Sequence, residues 1–527
     1  MKKTTKISGI ILAAVTAVSA MAGCKSGGGS GGTIKNPNTL NLDVFDGGYG
    51  TEVIEKIAEG FKAENPGTDY HLEATKLFSE QQSKLEADRY VADVIISISS
   101  YTRLGMKGKV LDLTDLYNGY AYDEDGTITI KEKLGEAADV NEIAGKYYQV
   151  PVHSGHTGIA YNKVYLDAIF GKDSYSLPVT SQELIEFCDR VSEKGGWSFV
   201  YTNATEAEYA IWLRDIWTAQ YLGYDKYSDY FNITYTDGSG EKKKAQTYDE
   251  LADSMKDARV SALTPLTKLM KYTGDTGYVP ESAGSMTFKQ AQAYFCGYSA
   301  QEDVKVVNGK KGAAFMVNGD WLWGEIEKYE KAVELDVRFM RTPVNSSVID
   351  RCNSVKTEAQ LRECIAYIDT VIDGTQGTKP AYLSDEDYAY LYEARRMVWS
   401  THGQQIATIP VNCQNAELSK KFLQYLASDA ACAIYSSALK GLVSPYDKEE
   451  KFSGTTTNFT SSVRSAFKKS IKVTDLVTPY TLYGGLRLFG GYYFSQNLYS
   501  GKGVDYILGE CNKLLSAKWD KIVSSVG

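Results

Sequence analysis

The chain has 527 residues, 57 Lys and Arg against 66 Asp and Glu (a formal charge of −9), and 43% hydrophobic residues. The acidic balance argues against a nucleic-acid binder, which needs a basic face, and a mean hydropathy of −0.30 excludes a polytopic membrane protein. The 39 Tyr outnumber Phe and Trp together; tyrosine joins an apolar face to a polar tip, so the excess fits polar-ligand surfaces or compositional drift.

The first residues read as an address. Lys2, Lys3 and Lys6 form a positive start, Ile10 to Val18 a short apolar core, and small residues lead to Ala22-Gly23-Cys24. This is the layout of a secretory signal peptide over 1–23, too short for a permanent membrane span. Residues 25–32 are a Gly/Ser run after one lysine, a flexible tether with nothing to pack. Extended, 25–38 would reach about 45 Å. Seven cysteines come after Cys24 (188, 296, 352, 364, 413, 432 and 511), with no CxxC pair. That excludes zinc-ribbon and thioredoxin-like readings. Most lie in apolar runs and read as buried thiols, although Cys352 and Cys364 are close enough in sequence to bridge.

Thr39–Phe45 alternates like a strand, Gly47-Gly48-Tyr49-Gly50 is a turn, and Thr51–Glu64 carries Val53, Ile54, Ile57 and Phe61 at helical spacing before the stop Asn65-Pro66-Gly67. A strand at 68–74, a helix at 77–90 and a buried strand at 92–98 continue an alternation that predicts an α/β domain with a parallel sheet. Strands come next at 146–151 and 157–162, then helices at 180–194, 205–222, 247–272 and 287–299. Residues 311–319 read as strand and turn, 320–331 as a helix and 335–343 as a strand. An irregular stretch at 345–400 holds helices at 356–372 and 384–398. A strand at 405–411 and helices at 415–428, 429–439 and 504–523 complete the chain.

Four ordered segments resemble one family. Gly145-Lys-Tyr-Tyr-Gln-Val-Pro151, ending in Tyr161-Asn162-Lys163, resembles the "GK-x-Y-x-[VL]-P … YNK" segment of bacterial extracellular solute-binding proteins. Lys311-Gly-Ala-Ala-Phe-Met-Val-Asn-Gly-Asp-Trp321 resembles their "GKAAM-x-x-x-G-x-W". Asn415–Ser428 resembles their "K-x-A-x-x-F-L-x-[YF]-L" helix, and Gly441-Leu-Val-Ser-Pro445 the turn after it. The nearest subgroup is the maltose-binding-protein-like, carbohydrate-binding lipoproteins of ABC importers. The cysteine after Ala-Gly resembles their lipobox, with Met21 a less usual first residue. This implies cleavage before Cys24, lipid on its sulfur, and a monomer tethered to the outer face of the cell membrane beside an ABC permease.

The resemblance implies an α/β fold of the class II periplasmic-binding-protein type, with interleaved lobes and a hinge. The expected lobe 1 is 38–150 plus 319–400, and lobe 2 is 157–312 plus 413–527. Crossovers are expected near 151–156, 313–318 and 401–412. Ligands in open α/β sheets bind outside the carboxyl ends of strands. Candidate ligand contacts there are Gly48, Tyr49, Ser99, Tyr101, His153, Ser154, Tyr209, Trp212, Trp321, Trp399, His402, Tyr483, Arg487 and Tyr492. Several have plain structural alternatives: Gly47–Gly50 as an ordinary tight turn, the serines near 99 as caps. Trp323 and Trp217 read as core, since residues two and five apart from their aromatic neighbours face elsewhere on a helix. His153 and His156 form an HxxH in strand and loop, without the further ligands a zinc site needs, so no metal and no cofactor are expected. The resemblance implies a carbohydrate receptor that breaks no bond. Two other classes stand beside it: a receptor of the same fold for a peptide or polyamine, and a lipid-anchored glycoside hydrolase, which would need paired carboxylates.

Overall fold

The structure, a computed structural model, describes residues 36–98, 100–121, 126–139, 141–201, 209–400, 403–490 and 494–526. Two mixed sheets are built, in chain order, from β1 (Thr39–Phe45), β2 (Asp69–Thr75), β3 (Val94–Ser97), β4 (Val150–His153), β5 (Thr157–Asn162), β6 (Phe315–Gly319), β7 (Val337–Met340), β8 (Met397–Trp399), β9 (Gln405–Thr408) and β10 (Ile471–Val473). The first sheet has the order β2-β1-β3-β9-β4; β1 is parallel to β2 and β3, and β9 is antiparallel to β3 and β4. The second has the order β6-β5-β8-β10. In it β5 runs antiparallel to β6 along its length, and pairs with β7 from Ile159 to Asn162 and with Trp399 of β8 at Thr157.

The alternation of β1 is met on both faces. Leu40, Leu42 and Val44 enter the main core, while Asn41 and Asp43 are equally buried among polar partners. The Asp43 carboxylate accepts hydrogen bonds from Gln81 Nε2 (2.7 Å) and the Tyr90 hydroxyl. Asp93, fully buried at the entry to β3, accepts from the Asn41 amide (2.9 Å) and from the amides of Gln414 (2.8 Å) and Asn415 (3.3 Å). One carboxylate thus ties the opening strand to the start of the helix Ala416–Leu426, more than 320 residues later. That helix and Asp429–Ala438 pack on Glu52–Glu64.

This packing corrects the expected lobe boundaries. Residues 413–438 belong with the first sheet, and 319–400 with the second, because β7 and β8 both pair there. Residues 313–318, expected to cross between lobes, end in β6, a fully buried strand of the second sheet. The chain passes between the sheets at 154–156, between Trp399 and Gln405, and a third time at 439–457, on the way to the helix Asn458–Ala466 that packs on β7.

Residues 345–396 form a subdomain on the second lobe. Its own core holds Val344, Val348, Cys352, Val355, Leu361, Cys364, Ile365, Ile368, Ile372 and Leu391. Arg395 clamps it with two bonds to Asp369, both 2.8 Å, and one to the Thr342 carbonyl. Its two cysteines carry free thiols, as do the other five described. Burial pushes the Cys352 thiol up to about 12, where it stays protonated and inert. Truncating Ile368 to Ala should cost about 2–5 kcal/mol, from lost transfer energy and an unfilled cavity; denaturant unfolding with hydrogen exchange across 345–396 reads it.

Candidate functional site

The sheets face each other with their strand ends, and the site is built from the segments just beyond those ends. After β1 the chain turns through Gly47–Gly50, closed by a bond from the Gly50 amide to the Gly47 carbonyl (2.8 Å) with Gly50 at φ +68°. The turn presents Tyr49 to the opposite lobe. Its hydroxyl donates to Asp320 Oδ1 at 2.5 Å. Asp320 comes directly after β6, and its other oxygen accepts the His156 backbone amide at 3.1 Å. The Tyr49 ring lies on His153 at the end of β4, centroids 3.9 Å apart and planes within 7°. His153 Nδ1 is 2.8 Å from the Tyr435 hydroxyl.

Two glycines allow this approach. A Cβ on Gly48 would stand 2.6–2.9 Å from the Trp321 side chain, and one on Gly324 only 2.4 Å from the Gly48 carbonyl oxygen. Backbone of the first lobe therefore rests on the helix Leu322–Ile326 of the second.

An aromatic row continues from there. Trp321 meets Tyr49 edge-on at 6.2 Å and Trp212 at 5.7 Å. Trp212 carries Tyr209 stacked at 4.4 Å and touches Trp399 at 5.2 Å. Tyr209 and Trp212 come together because the helix Ala210–Leu222 begins at Tyr209, placing them on one face. Trp399, the last residue of β8, is half-buried and opens onto a cavity of about 960 Å³ between the lobes. The first lobe contributes Ile98, Ser100 and Gln149 to it, the crossing chain Gln404, and the second lobe Thr478, Arg487 and Phe489.

Two ion pairs line the cavity on the second lobe, and Asp139 and Glu142 on the first. Arg214 Nε bonds to Asp215 at 2.8 Å, and Arg487 Nε stands 3.5 Å from Asp475. Burial, opposed by Arg487 and reinforced by Asp215, pushes the Asp475 carboxyl up to about 6. His153 moves the other way. Burial drives its pKa down from 6.5 to about 3, so it is a neutral ring under Tyr49. Burial foremost, then the Asp320 charge, raises Tyr49 well above its ordinary value, keeping the phenol a donor.

The structure gathers Gly48, Tyr49, His153, Tyr209, Trp212, Trp321 and Trp399 into one junction and sets Arg487 in the cavity. Tyr483 reaches across to Met106 of the first lobe. Two candidates are placed elsewhere. Tyr101 is fully buried with Leu85, Tyr90 and Ile406, and its amide donates to Gln149 Oε1 (2.7 Å). Ser154 faces a separate cavity of about 300 Å³ on the side of His156 and Lys472. Cys24, Ser99, His402 and Tyr492 lie outside the described residues. Trp323 packs on Phe459 at 5.7 Å and Trp217 is fully buried, both as core. Asp215, Gln404 and Asp475 do not stand out from the sequence pattern alone. Asp320 lies inside the Gly-x-Trp motif and is findable there; Asp475 comes after a three-residue strand without periodic pattern. Among the described residues, no group of three or more His, Cys, Asp or Glu is arranged to hold a metal, and no helix is long and apolar enough to cross a membrane.

No protein-family model matches the sequence, and no curated protein matches it. Solved structures do match. The raffinose-complexed substrate-binding protein RafE superposes with a TM-score of 0.56 at 13% identity, covering 91% of this chain and 99% of its own; RafE comes from Streptococcus pneumoniae. The ABC substrate-binding protein Lmo0181 of Listeria monocytogenes, in complex with cycloalternan, gives 0.54 at 12%, covering 92% and 100%. A chitin oligosaccharide binding protein gives 0.57 at 14%, covering 92% and 99%.

This geometry makes two outcomes testable. Gly324→Ala should hold the lobes apart, seen as a larger radius of gyration by small-angle scattering. His153 is depressed in the folded state, so the unfolded chain binds its proton first. Its contribution is present above pH 6.5 and lost as pH falls toward about 3. The difference between wild type and His153→Gln in acid unfolding should track that window. The chain has the two-lobed α/β fold of the ABC substrate-binding proteins.

Proposed function

We propose that this protein is the extracytoplasmic receptor of an ABC importer and binds an oligosaccharide between its lobes. The observation that carries the reading is the cavity: a half-exposed indole plate, Trp399, beside paired charges and amides supplied by both lobes and by a crossing strand. A sugar offers C–H faces to an aromatic plate and hydroxyls that donate and accept. A cleft with an apolar floor and a few placed polar groups suits it. The solved proteins of this fold include complexes with raffinose and cycloalternan, which supports the same class of ligand here.

Binding is a population shift. A ligand touching Gln149 on one lobe and Arg487 on the other stabilises the closed arrangement over the open one, by its differential affinity for the two. The permease reads the closed form, and no bond is broken. The lipid on Cys24 and the Gly/Ser run after it would hold the receptor at the outer membrane face as a monomer.

The test is intrinsic tryptophan fluorescence titrated with raffinose, malto-, xylo- and chito-oligosaccharides. A saturable shift with the sugar recovered intact is expected, and Trp399→Ala should weaken it at least about tenfold. Shorter sugars released into solution would favour a glycoside hydrolase. Response to a peptide or polyamine alone would favour a receptor for another solute.

A further inference from the structure

We propose that the cavity of about 300 Å³ on the side of His156 and Lys472 is a binding site for a small free oxyanion of the phosphate or sulfate kind. It shares no lining residue with the larger cavity onto which Trp399 opens. Its walls come from three parts of the chain. The first lobe gives Leu134 and Ala137, the second Phe467 and Lys472, and the crossing segments Ser154 and Ser444.

Three lysines meet this space from different segments. Lys472 is the middle residue of β10. Its neighbour Val473 is fully buried in the core, and successive strand side chains point to opposite faces, so Lys472 is turned to the cavity side. Lys469 stands in the turn before β10 with φ +53°, a left-handed conformation uncommon for any residue but glycine. Lys448 reaches from the crossing segment to the first lobe, where a Cβ on Gly135 would stand only 1.8 Å from its Nζ. Lys448 and Lys469 are exposed, whereas Lys472 is half-buried.

The carboxylates around the cavity are already engaged. Asp320 holds the Tyr49 hydroxyl and the His156 amide. Asp447 accepts the amides of Lys451 (2.9 Å) and Phe452 (3.0 Å). Glu450 pairs with Arg464 at 2.6 Å. Among the described residues, no carboxylate stands within ion-pair distance of Lys448, Lys469 or Lys472, and the hydroxyls of Ser154 and Ser470 have no hydrogen-bond partner. Burial lowers the pKa of the Lys472 ammonium; Glu136 opposes this, Lys448 adds to it, and Asp320 opposes it. A cation withdrawn from water without a counter-ion is costly. An oxyanion brings what the cavity lacks, negative charge for the ammonium groups and acceptors for the two hydroxyls. The space equals about ten waters at ~30 Å³ each, room for a small oxyanion that keeps part of its hydration.

The test titrates the full chain with sodium phosphate and with sodium sulfate, at constant ionic strength made up with chloride, and reads binding heat and melting temperature. Saturable binding with a raised melting temperature is expected for at least one of the two. Lys472→Gln should weaken it at least about tenfold, with Lys448→Gln weakening it in the same direction. Lys107→Gln removes the same charge from an exposed lysine outside the cavity and should leave it unchanged. If Lys472→Gln does not fold, Lys448→Gln and Lys469→Gln are read in its place. No saturable binding of either anion up to about 10 mM, or an equal loss in Lys107→Gln, would overturn the site.

Discussion

The two lobes meet where the carbonyl of Gly48 comes to rest on Gly324, and the arrangement of the junction depends on that contact. Neither position tolerates a methyl group in this arrangement. With backbone against backbone, Tyr49 comes within reach of Asp320, His153 is shut away from water, and Trp321 is packed from both sides. A hydrogen bond to a charged group contributes about 1.5–3 kcal/mol net. A contact of that size biases two states without locking them, as the proposed receptor role requires.

The chain threads the two lobes three times, so neither lobe is made of one continuous segment. Asp93 shows what holds such a lobe together. It binds amides of β1 and of the segment entering the helix Ala416–Leu426 with the same carboxylate. Separating those segments would leave a buried charge without donors, which is costly. Trp399 stays with the second sheet, paired with Val473 and Thr157, while Gln405 already pairs with His153 in the first, so the plate stands where the chain leaves one sheet for the other.

Much of this is legible in the sequence. The spacing of β1, its glycine turn and the helix Glu52–Glu64 can be read from local pattern, as can the aromatic pair Tyr209 and Trp212 on one helical face. Lobe membership cannot. Pairing of β5 with Trp399 joins residues more than 240 apart, and nothing in either segment names its partner. The strands β8 and β10 have three residues each, too few to show a period. Tyr101 departs from its expected place for a related reason: its ring packs with Leu85, Tyr90 and Ile406, residues distant in sequence. Part of the tyrosine excess has an internal explanation. Tyr117, Tyr446 and Tyr294 bury their rings and donate to the carbonyls of Gln149, Pro151 and Asp303 at 2.7–2.8 Å. Tyrosine here serves as a core residue that also satisfies stranded backbone acceptors.

The charge pattern of the cavity narrows what it suits. Arg214 and Arg487 are matched by Asp215 and Asp475, so the walls they form carry no surplus positive charge. An anionic sugar would have to separate one of these pairs and would meet the freed carboxylate. A neutral sugar would not: one hydroxyl can donate to Asp475 while another accepts from Arg487, and the pair stays close enough to be mutually compensated. Burial and the Asp215 charge raise the Asp475 carboxyl toward neutrality, which favours a hydroxyl donor beside it. The acidic balance of the whole chain adds to the same preference at long range. The two ion pairs would therefore suit an uncharged, hydroxyl-rich ligand of the kind proposed.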